Sequence, residues 1–314
     1  MVDAQTRTQF VGRERELREL LDALDTSRAG HGRIVLIGGE PGIGKSRLAD
    51  ELASIATEQG QLVLWGRAWE DAGAPAYWPW VQALRTLIRS STPDQVRRYL
   101  GLGAPDVAQM LPELGAMFPD LSPPSGAESE SARFQLFDST TNLLRNAADD
   151  RPMLIVLDDL HAADTPTVLL LRFLVSQLTD MAALVVGTYR DLELTPDHPL
   201  TLAIGEMARE RSTRLVMLGG LGSGAVSEYI SATANFQLDE LTVRRGLARN
   251  ERQPTLRRRG GQAARGRGAS SRGRRPDQPP RGRAGRCARR HRPSHRTPER
   301  ASWGRIDGGR GDRP

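Results

Sequence analysis

Apolar residues in the first 243 positions form two kinds of pattern. One is a helical stripe, with Leu17, Leu20 and Leu24 on the same face of a helix predicted over residues 13–27. The other is a short apolar run between polar residues, which predicts a buried strand. Such runs lie at residues 33–37, 62–65, 153–157, 182–188 and 214–218. Further helices are predicted between them, at residues 44–59, 80–90, 93–100, 105–117 and 130–148. Strands that alternate with helices predict an α/β fold whose parallel sheet is covered on both faces.

Two connecting segments have a distinctive composition. Residues 66–80 contain three Trp and one Tyr together with two Pro, and we predict an aromatic loop that packs over the sheet. A binding surface is the alternative for this loop. In the second segment, Asp164 is followed by Thr165 and Pro166. This order predicts the start of a helix, with the Asp164 side chain as its cap and the proline in the first turn.

Charge divides the chain near residue 244. Residues 244–314 contain 23 Arg and 5 acidic residues, a net charge of +18, which leaves −12 for residues 1–243. The basic part has almost no large aliphatic side chains, so it cannot bury enough apolar area to offset the entropy of an ordered chain. We therefore predict a disordered tail rich in Arg, Gly and Pro over residues 246–314.

Cysteine content and hydropathy limit the compartment. Cys287 is the only cysteine, so an intrachain disulfide is excluded. The sequence has neither a signal-peptide pattern nor a run of about 18 apolar residues. These features predict a cytoplasmic protein without a membrane partner.

The strongest motif is a phosphate-binding loop (P-loop). It consists of Gly39, Glu40, Pro41, Gly42, Ile43, Gly44, Lys45 and Ser46. In such a loop the backbone N–H groups surround the phosphates, the lysine reaches the β and γ oxygens, and the serine hydroxyl ligates Mg²⁺. Lys45 is also the only lysine among 44 basic residues, at the position where a slim ammonium is needed. The strand before the loop and the helix after it favour ATP with Mg²⁺ as ligands over a simple Gly-rich turn.

A second group of candidate residues follows the third predicted strand. Asp158 and Asp159 end that strand, where a P-loop protein needs a carboxylate to hold Mg²⁺ through water. We assign this role to Asp158, and we assign to Asp159 the polarisation of the attacking water. The alternative for the pair is a capped turn that opens the next helix. His161 is close by, and a structural role is the first choice for it.

Arg190 is a candidate for sensing the γ-phosphate. It follows the strand predicted over residues 182–188. A strand next to the P-loop strand presents its carboxyl end to the nucleotide, because ligands bind at that edge of a parallel sheet. The alternative is an arginine on a surface loop.

Together these segments resemble the signal-transduction ATPases with numerous domains (the STAND class), within the AAA-like P-loop proteins. The resemblance is strongest to the Orc1-like AAA ATPase modules of large ATP-binding LuxR-type transcriptional regulators and of AAA-bearing cyclases. It covers residues 9–243 and depends on five strings. These are FVGRERELRELL, GEPGIGKSRLADELA, LWGRAWEDAGAPAYWPWVQALR, LIVLDDLHAADTPTVLLLRFL and VVGTYRDLELTPDHPL.

The resemblance implies a P-loop NTPase fold with a five-stranded parallel sheet in the order 5-1-4-3-2, flanked by helices. It makes Asp158 the Walker B aspartate and Arg190 the sensor arginine. We also count Arg47, directly after Ser46, among the nucleotide-binding residues. The resemblance also implies a set of residues that lie against the adenine, namely Phe10, Val11, Gly12 and Arg13. Proteins of this class usually act as slow ATP/ADP switches that control self-association and an attached effector.

The domain organisation departs from this family after the fifth strand. We expect the ATPase core at residues 1–218 and the beginning of a helical lid at 219–245. The family's lid then continues with a Gly-Asn-Pro turn and an apolar helix, whereas this chain continues with the basic tail. In the +1 reading frame, residues 250–268 can encode TNGNPHFVEEVVRLLAAEG, which contains that turn and helix. We therefore interpret the tail as the product of a frameshift and the lid as truncated.

Two other functions are compatible with parts of the sequence. A nucleic-acid-binding protein could act through the basic tail, although Trp303 is its only aromatic residue and stacking platforms are therefore missing. An AAA motor is the other alternative, but no persuasive arginine finger is recognisable.

Deletion of residues 246–314 is predicted to leave ATP binding unchanged. The tail itself should bind nucleic acid without sequence preference, because its arginines neutralise phosphates and release counterions, so that binding weakens steeply with salt. Nucleotide titration and DNA binding over a salt series, with and without the tail, measure both effects. A sequence-selective DNA complex formed by the tail would contradict the frameshift interpretation.

Overall fold

A computed structural model describes residues 10–70, 73–121, 129–222 and 224–226. All of them belong to one unit of the chain, Met1–Thr255. Within these residues a single five-stranded sheet forms in the order β2-β3-β4-β1-β5, with parallel pairing throughout. The strands are β1 (Arg33–Gly39), β2 (Leu62–Arg67), β3 (Met153–Asp158), β4 (Ala183–Tyr189) and β5 (Thr213–Leu218). The predicted α/β fold and its strand order are confirmed.

Nine α-helices cover the sheet in the part of the chain that the structure describes. They are α1 (Glu14–Arg28), α2 (Lys45–Glu58), α3 (Trp78–Arg89), α4 (Pro93–Leu100), α5 (Ala104–Val107), α6 (Glu113–Met117), α7 (Glu130–Asp150), α8 (Thr165–Ser176) and α9 (Pro199–Met207). Helices α1 and α2 pack on one face of the sheet, and α3 to α9 contribute to the core on the other face.

The central strands are apolar because both of their faces are buried. In β1, Ile34 and Leu36 point into the core beneath α3 to α9, and Val35 and Ile37 point into the core beneath α1 and α2. All four side chains are fully buried. Successive side chains of a strand point to opposite faces, so a strand covered on both sides appears in the sequence as an unbroken apolar run.

The structure differs from the predicted helices and loops at three places. The helix predicted over residues 105–117 is divided into α5 and α6, because Pro112 directly before α6 has no N–H group to continue a helix. The aromatic loop predicted over residues 66–80 ends earlier, since α3 begins at Trp78. Trp80 is fully buried there and donates from Nε1 to the Thr167 carbonyl at 3.1 Å. Helix α9 was not predicted.

The start of α8 lies where Asp164 predicts it, but the cap is different. The Asp164 side chain makes no capping bond to the backbone of its own helix. It accepts a hydrogen bond from the Thr167 hydroxyl and another from the Tyr77 N–H at 3.2 Å. The carboxylate therefore joins the start of α8 to the residue before α3, which the local sequence could not indicate.

The predicted lid and tail lie largely outside the described residues. Of the lid, 219–245, the structure describes only 219–222 and 224–226, and none of the tail, 246–314, is described. Among the described helices, none has the length and apolar character needed to cross a membrane.

Substitution of Gly66 by alanine is predicted to destabilise the protein by about 1–3 kcal/mol, the usual cost of overpacking. Gly66 lies in β2, and a Cβ there would come within 1.9 Å of the Pro79 carbonyl oxygen. Gly115→Ala is the matched control, because a Cβ on this α6 residue meets no atom within 4 Å. Denaturant unfolding of both variants measures the difference. Equal stability of the two would show that β2 and the start of α3 are not packed this closely.

Candidate nucleotide-binding site

The carboxyl ends of three adjacent strands converge at one edge of the sheet. β4 pairs with β1 on one side and with β3 on the other, and all three are parallel. The P-loop leaves β1, Asp158 ends β3, and Arg190 follows β4. The strand order therefore gathers three sequence-predicted groups at the edge where open α/β sheets bind ligands.

The P-loop backbone leaves its centre open. Gly39, Gly42 and Gly44 have φ values of 154°, 75° and 104°, a region that residues with a Cβ rarely adopt. A Cβ on Gly42 or Gly44 would meet no atom within 4 Å, so space lies beside both. Gly44 is the N-cap of α2, and no side chain caps this helix. The start of α2, with a glycine at its N-cap, suits an anion such as a phosphate.

Lys45 projects its ammonium along the loop. The residue is buried, and its Nζ donates to the carbonyl oxygens of Gly39 at 2.8 Å and Glu40 at 2.9 Å. Burial lowers the pKa of Lys45, while the charge of Asp159 acts in the opposite direction. A largely desolvated cation held by neutral carbonyl groups is well suited to phosphate oxygens, which carry full negative charge.

Asp158 is fully buried and accepts hydrogen bonds from three segments of the chain. Ser46 Oγ donates to Oδ1 at 2.9 Å, and Thr188 Oγ1 donates to the same oxygen at 2.5 Å. Arg67 Nε donates to Oδ2 at 2.9 Å. Burial alone would raise the pKa of Asp158, but these hydrogen bonds outweigh it and hold that pKa below its ordinary value. Ser46 and the ionised Asp158 are thus adjacent, as a Mg²⁺ site on a P-loop requires.

Asp159 differs from its neighbour in backbone and charge. It adopts the left-handed conformation, with φ 59° and ψ 40°, and its N–H donates to Thr188 Oγ1 at 3.0 Å. Burial raises the pKa of Asp159, and the neighbouring Asp158 charge raises it further. A carboxylate of raised basicity in a strained backbone position is typical of a functional site.

A comparison with known protein families shows which family this chain matches. Residues 9–186 match the AAA ATPase domain family. The chain belongs to this family. A search of curated proteins finds no match.

Solved structures with a similar fold have low sequence identity. One is a STAND protein with a tetratricopeptide repeat sensor from Pyrococcus horikoshii, at 16% identity and a TM-score of 0.40. The match covers 76% of this chain and 28% of that protein. Another is Orc1 from Aeropyrum pernix in complex with DNA, at 17% identity and a TM-score of 0.37, over 74% of this chain and 52% of that one. The chain therefore spans between about a quarter and about half of these relatives.

Two residues of the candidate site in this AAA ATPase domain were not predicted from the sequence. Arg67, at the end of β2, lies opposite Asp158 in the register of β2 and β3 and binds its carboxylate. Thr188, in β4, bridges the Asp158 carboxylate and the Asp159 N–H. The sequence indicated only that both residues lie at the ends of predicted strands. The predicted strand order already placed β3 between β2 and β4, but the register that sets Arg67 opposite Asp158 and the hydrogen bonds of Thr188 were known only from the structure.

Arg190 lies at the same edge but binds carboxylates. Its guanidinium is 2.5 Å from Glu70 Oε1 and 2.9 Å from Glu193 Oε1. The hydrogen bond with Glu193 raises the pKa of Arg190 further above its ordinary value. His161 is buried, and its Nε2 is 3.5 Å from an oxygen of each glutamate. The structure thus adds Glu70 and Glu193 to the surroundings of the predicted sensor.

The segment predicted to lie against the adenine contacts the P-loop. Arg13 is buried and donates to the carbonyl oxygens of Ile43 at 3.2 Å and Gly219 at 2.5 Å. Val11 is buried as well, and Gly12 has a φ of 77°. A Cβ on Gly12 would lie 2.4 Å from the Ala225 Cβ. The segment is therefore close-packed between the P-loop and the residues that follow β5.

The remaining predicted contacts are more exposed. Arg47 lies in the first turn of α2 and forms an ion pair with Glu51 at 3.8 Å. Glu40 and Pro41, in the P-loop, are exposed, and Ile43 is half-buried. Within the described residues, no group of three or more His, Cys, Asp or Glu side chains could hold a metal ion. A Mg²⁺ ion would thus need phosphate oxygens in addition to Ser46 and Asp158.

Asp158→Asn is predicted to destabilise the protein, whereas Asp159→Asn is not. In Asp158→Asn the amide NH₂ cannot accept a hydrogen bond, so a buried donor loses its partner at a cost of about 1–3 kcal/mol. In Asp159→Asn a carboxylate whose charge is disfavoured by burial and by Asp158 becomes neutral, and asparagine tolerates the left-handed backbone. The second variant should therefore unfold at the same or a higher temperature than the wild type. Thermal unfolding at pH 7 measures both, and equal destabilisation would contradict the assignment.

Proposed function

We propose that this AAA ATPase domain is the ATP-binding, slowly hydrolysing switch module of a signal-transduction or transcription-regulatory ATPase. One observation carries the nucleotide-binding part of this proposal. The hydroxyl of Ser46, directly after the only lysine of the chain, lies 2.9 Å from the buried carboxylate of Asp158, 112 residues away in the sequence. This proximity supports the proposal that the loop binds the phosphates of ATP and that the carboxylate serves the Mg²⁺ ion bound with them.

Each group has a defined task in binding. Lys45 exchanges its contacts with the Gly39 and Glu40 carbonyl groups for the β and γ oxygens, and the start of α2 holds the phosphates. Ser46 and Asp158 would hold Mg²⁺. The metal, when bound, neutralises charge on the phosphates. Arg13 fixes the adenine-contacting segment against the P-loop through Ile43.

Hydrolysis follows from the pair of aspartates and is expected to be slow. Asp159, the more basic carboxylate, orients and polarises the attacking water, and Arg190 senses the γ-phosphate. An arginine finger contributes about 10³–10⁵ in rate. At this edge, Arg67, which ends β2, and Arg190, which follows β4, are both paired with carboxylates of their own chain. Turnover should therefore be well below the median of about 10 s⁻¹ for enzymes.

The regulatory role is supported by the sequence resemblance to LuxR-type regulators and STAND proteins. In this proposal, exchange of ATP for ADP changes self-association and the state of an attached effector. Non-specific binding of nucleic acid belongs to the basic tail, which lies outside the described residues, and the cytoplasmic location stays a prediction from the sequence. The nucleic-acid-binding alternative has no further observation in its favour.

Lys45→Ala is predicted to abolish ATP binding and to leave the fold intact. The ammonium lies in the loop that would hold the phosphates, and no other lysine can replace it. Isothermal titration with ATP and Mg²⁺ measures the affinity, and circular dichroism checks the fold. Arg98→Ala is the control, since it removes one exposed cation from α4, where Arg98 pairs with Asp150. Unchanged affinity in Lys45→Ala would overturn the nucleotide-site assignment.

A further inference from the structure

Four side chains form a cluster beside the P-loop, which we call the Arg190 clamp. Arg190, directly after β4, contributes one guanidinium nitrogen to Glu70 and another to Glu193, at 2.5 and 2.9 Å. Glu70 follows β2, and Glu193 lies three residues after Arg190. His161, after β3, completes the cluster, with Nε2 3.5 Å from an oxygen of each glutamate. The clamp thus joins the segments that follow three neighbouring strands.

We propose that Glu70 and Glu193 are positioning residues that compete with the terminal phosphate of ATP for Arg190, and thereby set how strongly the site discriminates ATP from ADP. The inference rests on the proposed nucleotide site. It assigns a role to two carboxylates that neither bind the phosphates nor take part in hydrolysis.

The register of the sheet places Arg190 beside the P-loop. Tyr189 lies opposite Gly38 in the pairing of β4 with β1, so Arg190 leaves β4 where the P-loop leaves β1. A γ-phosphate bound by Lys45 would therefore feel the Arg190 charge as well. Phosphate oxygens and carboxylate oxygens are both strong acceptors for a guanidinium, so the same N–H groups serve either partner but not both in full.

The two nucleotides differ in this competition. ATP brings a γ-phosphate that can take Arg190 from the glutamates, whereas ADP has no group at that position and leaves the clamp closed. Each ATP molecule must therefore break ion pairs that ADP leaves in place. The glutamates therefore lower the affinity for ATP and leave the affinity for ADP unchanged. The two affinities become more nearly equal, as a switch between the two nucleotides requires.

His161 gives the released glutamates a second partner. Its side chain is almost completely buried, and neither ring nitrogen has a hydrogen-bond partner among the described residues. The carbonyl oxygen of His161 is bonded to His198 Nε2 at 3.1 Å, and His198 caps α9. When Arg190 turns to the phosphate, Glu70 and Glu193 can approach the imidazole, so the change reaches the residues after β2 and the start of α9.

The test is the ratio of ATP to ADP affinity in Glu70→Gln, Glu193→Gln and the double variant. Isothermal titration with a non-hydrolysable ATP analogue and with ADP, both with Mg²⁺, gives the two affinities. Because each ion pair is partly exposed, each substitution should raise affinity for the analogue about two- to fivefold and leave ADP affinity unchanged. Glu70 and Glu193 are about half exposed, so both variants should fold normally, as thermal unfolding can verify.

Two further variants isolate the clamp. In an Arg190→Ala background the glutamine substitutions should no longer change the ratio, as a double-mutant cycle requires of a shared partner. Glu113→Gln is the matched control, because Glu113 pairs with Arg85 at 2.6 Å in a separate ion pair, and its ratio should equal that of the wild type.

Each contrary result has a distinct meaning. Weaker binding of the analogue in the glutamine variants would show that the glutamates aim Arg190 at the phosphate, which overturns the competition. Equal changes in the affinities for the analogue and for ADP would show that the substitutions alter the electrostatic field for both nucleotides. That result would also overturn the proposed competition. A wild-type protein that binds neither nucleotide would refute the proposed function itself, and the clamp with it.

Discussion

The site depends on a buried negative charge at the end of β3. The Asp158 carboxylate has no exposed surface, and an isolated charge in such a position would be prohibitively costly. It is stabilised by donors from α2, β2 and β4, so the P-loop helix and both neighbouring strands must be in place for it to remain ionised. The packing that forms the sheet therefore also keeps ionised the carboxylate that we propose for Mg²⁺.

Asp159 shows the opposite balance. The positive φ of Asp159 is an unfavourable backbone conformation, and burial raises the pKa of its carboxyl, so both features disfavour the folded state when the side chain is ionised. The Thr188 hydroxyl accepts a hydrogen bond from the Asp159 N–H and helps to hold this residue in place. Local strain of this kind persists only where the surrounding structure imposes it. Two adjacent aspartates thus acquire different properties, one a stable anion and the other a more basic group, because only the first is surrounded by donors.

Cations at this edge of the sheet are held by acidic groups of the same chain. Arg67 binds Asp158, and Arg190 binds Glu70 and Glu193. A negatively charged ligand would compete with the carboxylates for these arginines, and a metal ion would compete with the arginines for the carboxylates. This pairing is one reason why we propose a nucleotide switch and not an enzyme built for rapid turnover.

The sequence by itself determined the elements whose chemistry is local. The apolar runs became buried strands because both faces of a central parallel strand are covered, and the P-loop and the Asp158-Asp159 pair were recognisable because their spacing is fixed along the chain. The partners of those groups were decided by tertiary structure. Arg67 lies 91 residues from Asp158, and Glu70 lies 120 residues from Arg190. Nothing in either local sequence specifies these contacts, because they form only when the strand order places the ends of β2, β3 and β4 side by side.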